Sequence, residues 1–137
     1  MNMKKILLVA MIAMLPALMY AQSEKDKARF AYVSTQMNLN KDVKAKLQPL
    51  YYAYLKELHA AKDIYDNMKA KYATQIKKNA LTAEQANSLN NARWQSDAKV
   101  LEVRKAYTQK FKTVLTAQQV YFLFSYSNDS KSKMKGK

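Results

Sequence analysis

His59, Asp63 and Asp66 are the residues whose types could do chemistry together. The chain of 137 residues has one histidine and no cysteine. His59 and Asp63 are four apart, so one helical face would carry both, and Asp66 follows closely. An imidazole beside carboxylates is the beginning of a zinc or nickel site, but two or three such donors are few for either metal. A lone helical histidine more often faces solvent or packs. No metal and no cofactor is expected. Enzyme chemistry finds less support still. There is no Gly-rich loop, no nucleophile elbow and no HExxH sequence. Carboxylates recur at helical spacing from lysines, as Asp42 does from Lys46, which describes a solvated face. The chain is not expected to be an enzyme.

The next chemistry is charge. The formal net charge is +14. Lys4 and Lys5 belong to a short basic start, and Ile6 to Met19 is an apolar run of 14 residues. That run is short for a membrane span, which takes roughly 20 residues. Basic start, short apolar core and a small residue at its end are the pattern of a secretory signal peptide. Cleavage is expected near Ala21, leaving a mature chain of charge +12 with 19 Lys and 3 Arg. Such lysine-heavy charge favours diffuse attraction to acidic partners over bidentate reading of phosphate and base edges. Export also places the chain away from most nucleic acid. Neither nucleic-acid binding nor stable membrane insertion after cleavage is expected. The absence of cysteine excludes disulfides, so packing alone must hold the fold, which suits a bacterial periplasm.

These side chains must be positioned by helices, and one repeated word marks where helices begin. "LTAEQ" runs from Leu81 to Gln85 and "LTAQQ" from Leu115 to Gln119. Thr82 and Gln85, like Thr116 and Gln119, fit the reciprocal T-x-x-Q capping box. Leu115 and Val120 add a hydrophobic staple. The spacing of 34 matches a tetratricopeptide repeat, but no Gly or Pro between Leu50 and Ser130 supplies its tight turns. The predicted architecture is all-α, with four helices. Ser23 and Asp26 open the first, roughly 24–37. Asn40 caps the second, 41–78, which contains Pro49 and should kink there. Its apolar stripe runs Val43, Leu47, Leu50, Tyr54, Leu58, Ala61, Tyr65, Met68, Tyr72, Ile76. The third spans 83–114. The fourth, 117 to about 127, contains "VYFLFSY" and is predicted to be buried on more than one side. Residues 22–130 make one domain, and 131–137, "KSKMKGK", reads as a disordered basic tail. Two helices of this length form a thin body that buries little alone, so a homodimer is expected.

The two LTxxQ words, the signal peptide and the basic, cysteine-free helical body together resemble the Spy/CpxP family, the LTxxQ proteins of the periplasm. "FAYVSTQMNLNKDVKAKLQPLYYAY", Phe30 to Tyr54, resembles a Bacteroidota branch of it, in which an L-x-L-T turn leads to a W-P-x-Y-x-x-Y run. Leu39 and Asn40 stand at the turn. Pro49, Leu50, Tyr51 and Tyr54 stand at the run, with Gln48 in the place of its aromatic. The resemblance covers nearly all of the mature chain. It implies an elongated, curved, antiparallel helical dimer, and either an ATP-independent chaperone for unfolded proteins under envelope stress or a sensor of envelope or metal stress.

A chaperone needs apolar side chains outside the core stripe, bordered by positive charge. Trp94 and Leu101 lie seven apart and off the main stripe of the third helix. Tyr52, Leu55 and His59 share a face of the second. Lys56, Lys62, Lys99 and Lys105 stand close to them in sequence. These residues are the expected contacts for unfolded, acidic clients. The competing reading puts them in a dimer contact or under the first helix.

Overall fold

A computed structural model describes residues 23–135. The apolar segment and the expected cleavage site at Ala21 lie outside the described residues. Among those described there are five helices and no strand: α1 (Glu24–Gln36), α2 (Lys41–Lys71), α3 (Ala73–Lys77), α4 (Ala83–Phe111) and α5 (Ala117–Lys135). The all-α architecture is as the sequence indicates. Its two long helices, about 46 and 44 Å at 1.5 Å per residue, pack along one another as a hairpin. Tyr54 meets Tyr107, Ala61 meets Ser96 and Tyr65 meets Arg93, so the two run antiparallel.

Local chemistry sets the ends. Thr82 Oγ1 accepts from the Gln85 N–H at 3.1 Å, and Gln85 Oε1 accepts from the Thr82 N–H at 3.0 Å. Thr116 and Gln119 repeat both bonds at 3.1 and 2.9 Å. Asn40 Oδ1 accepts from the Val43 N–H, and Ser23 Oγ from that of Asp26. The stops use asparagine. Asn38 and Asn79 have φ of 52° and 53°. The N–H groups of Leu39 and Ala80 then reach back five residues to the carbonyls of Ser34 and Gln75, which is the Schellman closure. Asparagine tolerates this left-handed conformation better than most residues with a Cβ.

Three boundaries differ from the sequence reading. The helix expected over 41–78 breaks at Tyr72, whose φ and ψ of −108° and 22° leave the helical region. α3 buries no residue, so no packing face holds it in line with α2. Pro49 does not interrupt α2. α4 ends at Phe111 rather than Val114: Lys112 to Leu115 form turns, with Thr113 Oγ1 donating to the Lys110 carbonyl at 2.6 Å. Finally, α5 continues to Lys135, through most of the stretch read as a disordered tail.

The core sits at one end of the hairpin. α1 and α5 pack on each other there, and α1 also packs on α2. Phe30, Tyr51, Tyr54, Tyr107, Phe111 and Phe124 form a continuous aromatic cluster with centroids 5.6 to 6.5 Å apart. Such pairs each add about 0.5–1.5 kcal/mol beyond area burial. Leu47, Leu55, Leu58, Val103, Leu115, Val120 and Leu123 fill the space around them. The predicted staple residues Leu115 and Val120 are thus both buried in this core. Several polar atoms inside find partners: the Tyr51 and Ser127 hydroxyls share a bond of 2.7 Å, and the Tyr107 hydroxyl donates to Glu57. Ser96 donates to the Ala61 carbonyl at 2.8 Å, where the small residues Ala61, Ala92 and Ser96 let α2 and α4 approach closely. Burial pushes the phenols of Tyr51, Tyr54 and Tyr107 above their usual range. The carboxylate of Glu57 adds to the effect at Tyr107.

Candidate functional site

Beyond Ala61 on α2, and before Val100 on α4, neither α1 nor α5 contributes to the core. This open end of the hairpin is two helices thick. Its side chains have only each other for cover, and the apolar ones reach solvent. Ile64, Ile76, Leu81 and Trp94 are exposed there, Trp94 by 62%, and Leu101, just past Val100, is 54% exposed.

The expected contact residues divide. Trp94, Leu101 and Lys105 lie together on the outer side of α4, as their spacing implies. Lys99 is five residues from Trp94 and so points elsewhere. It lies seven beyond the buried Ala92 and pairs with Glu102 at 3.3 Å. The face of α2 that carries Tyr52, Leu55 and His59 is not open. Leu55 is 0% exposed and belongs to the core, which removes it as a contact for any partner of the folded chain. Tyr52 packs half-buried against Phe30 of α1, with centroids 5.6 Å apart. The reason is geometric: α1 covers a flank of α2 beside the stripe that faces α4, so the buried sector is wider than one stripe. Lys62, four residues beyond buried Leu58, is half-buried, whereas Lys56 is exposed.

His59 does not gather with Asp63 and Asp66. Its Nε2 lies 3.2 Å from Oδ1 of Asp26, a buried carboxylate on α1, while Asp66 pairs with Lys69 at 3.4 Å. Among the described residues no group of three or more His, Asp or Glu side chains could hold a metal ion. His59 therefore links α1 to α2.

Two shallow recesses flank the open end. One, of about 240 Å³, is lined by Tyr65, Ile76, Leu81, Leu89 and Arg93, among others. The second, also about 240 Å³, lies between Ile64, Met68, Ala92 and Gln95. Both are below the roughly 300–1,000 Å³ of small-molecule sites, and each has room for side chains of another chain. The first has a cationic rim. Arg93 donates to the Tyr65 hydroxyl, with its guanidinium 4.8 Å from the Tyr65 ring centre, and Lys69 Nζ is 4.6 Å from that centre.

No protein-family model, curated protein or solved structure matches this chain.

Ile64, Ile76 and Leu81 were not singled out from the sequence as surface residues. Ile76 continues the apolar stripe of α2 and so reads as core; past Met68 the stripe is only partly covered, with Tyr72 half-buried and Ile76 42% exposed. Leu81 did carry a signal. Its capping box places Ala86 where the other places Val120, so Leu81 has no large staple partner and stays exposed.

Proposed function

We propose that this protein is an ATP-independent holdase that captures unfolded, preferentially acidic proteins on the open end of its hairpin. The observation that carries the reading is the set of four large apolar side chains, Ile64, Ile76, Leu81 and Trp94, exposed where the hairpin is only two helices thick, with Leu101 exposed just beyond that stretch. Exposed apolar patches rimmed by polar residues mark interaction sites, and Ile76 and Leu81 share one recess rimmed by Arg93. Lysines and Arg93 on the same arm supply attraction to acidic segments, effective over a screening length of about 8 Å at physiological salt. Shallow recesses hold many sequences weakly and none tightly, which is what capture without fuel requires. The LTxxQ resemblance supports the same reading. With it come export to a periplasm after cleavage near Ala21 and assembly as an antiparallel homodimer, which would cover part of the exposed surface.

The test is light scattering of an aggregating protein without nucleotide. The wild type should suppress aggregation at a few-fold excess, and suppression of acidic clients should weaken as salt rises. Ile76→Ser with Leu81→Ser should lose much of the effect while retaining the helical circular dichroism of the wild type. Absence of suppression for several clients would remove the holdase reading and leave a sensor or regulatory interaction in the envelope as the better account. Mass spectrometry of the native protein tests export: an intact Met1–Ala21 segment would refute it. Sedimentation equilibrium at micromolar concentration decides the dimer.

A further inference from the structure

The sequence reading buries the fourth helix on more than one side, and the structure does not. Val120, Leu123 and Ser127 of α5 face the core, but Tyr121 is 66% and Phe122 46% exposed. Their rings meet edge-on at 5.4 Å, and Phe122 stacks on half-buried Tyr126 at 6.0 Å. This aromatic patch is remote from the open end: Ser127 bonds Tyr51 and Phe124 touches Tyr54, so α5 lies over the closed end. The same helix continues through Lys131, Lys133 and Lys135, and Lys137 follows. Asp129 is the one carboxylate in α5.

We propose that the outer face of α5 docks the protein on an anionic lipid surface. An interfacial helix combines an aromatic or aliphatic face, which enters the headgroup boundary, with lysines that attract acidic lipid. Tyr121, Phe122 and Tyr126 supply the first, and the terminal lysines the second. Tyrosine suits this depth because its ring is apolar and its hydroxyl is wet. Among the described residues no helix is long and apolar enough to cross a membrane, so the contact is peripheral. A single-stranded nucleic acid fits less well. Base stacking uses open ring faces, whereas Phe122 and Tyr126 stack on each other, and α5 contains no arginine. Docked by α5, the protein would keep its open end clear of the lipid. The inference does not depend on the holdase reading.

The experiment is co-sedimentation with vesicles, using the chain from Gln22 onward, which contains the whole described core. Vesicles of phosphatidylglycerol and phosphatidylcholine are compared with phosphatidylcholine alone, at low and high salt. Binding should require the anionic lipid and weaken with salt. Tyr121→Ser with Phe122→Ser, and separately Lys131→Gln with Lys133→Gln and Lys135→Gln, should each lower the partition coefficient by about tenfold. Circular dichroism melts confirm that each variant is folded; should the aromatic variant melt early, Phe122→Ser alone takes its place. Equal binding to both vesicle types, no binding, or binding indifferent to the aromatic change would overturn the proposal. So would an aromatic variant that changes only the sedimenting mass, showing a contact between copies, or one that loses a single-stranded oligonucleotide instead of lipid.

Discussion

Leu55 and Trp94 are both apolar residues read from the sequence as contacts, and the structure gives them opposite fates. Leu55→Ala removes a side chain that is 0% exposed inside the core. Lost transfer energy and the cavity left behind should cost about 3 kcal/mol. A chain of this size shifts its Tm by about 4 °C per kcal/mol, so Leu55→Ala should melt about 12 °C lower. Trp94 is 62% exposed, and its covered part corresponds to about 2 kcal/mol of burial. Alanine returns about 0.5 kcal/mol through its helix propensity. The net loss is about 1.5 kcal/mol, or ~6 °C. Thermal melts at 222 nm, each at two concentrations tenfold apart, measure both changes. On the proposed function, Trp94→Ala also loses holding activity at 25 °C, while Leu55→Ala retains it as long as it remains folded. A Trp94→Ala melt that falls as far as that of Leu55→Ala would refute the reasoning. If that fall depended on concentration, a second copy would be the cover that the monomer lacks.

Thr82→Ala and Thr116→Ala should each cost about 1 kcal/mol in denaturant titrations, since each removes an N-cap. Neither should alter activity at temperatures where the fold survives. Asn79→Val should cost about 1–2 kcal/mol because its φ of 53° brings Cβ against the following carbonyl, whereas Asn79→Gly should be close to neutral. Ser34 is buried, and its hydroxyl has no hydrogen-bond partner among the described residues. Ser34→Ala should therefore leave stability unchanged or raise it by up to about 1 kcal/mol. The phenols of Tyr51, Tyr54 and Tyr107 titrate above their unfolded value of about 10. The folded state then favours the protonated form. That contribution is complete below pH about 10 and is lost as pH rises through the raised folded values. Unfolding free energy should fall above pH about 10, and Tyr51→Phe should make the fall shallower.

The helix starts were legible because capping is local: Thr and Gln three apart satisfy the same N–H groups wherever the helix later packs. The stripe of α2 was legible for a similar reason as far as Ala61. Past that point the period continues in Tyr65, Met68 and Ile76 but the cover does not, and no local pattern reports where a partner helix ends. Tyr51 and Leu55 were missed as core because α1 and α5 add a second buried sector to α2. Ala92 and Ser96 were missed for the opposite reason. They are small or polar and carry no apolar signal, yet α2 approaches α4 there closely enough for Ser96 to reach a backbone carbonyl. The exposure of Trp94 and Leu101 was readable because they fall on the side of α4 turned from α2. The patch on α5 was not, since an apolar run such as "VYFLFSY" does not say how many of its sides will be covered.

The aromatic core occupies one end of the hairpin, and the other end consists of the same two helices continuing alone. Length at that end is consequently a free variable of the design. Removing seven residues from α2 after Ala61 and seven from α4 before Ser96 would keep both helices in phase and shorten the arm by about 10 Å. Adding seven to each would lengthen it equally, with the turn at Asn79 and the cap at Thr82 carried along intact. A lineage could thus change the reach of this protein by paired insertions or deletions, without redesigning a single residue between Phe30 and Tyr51 or around Phe111.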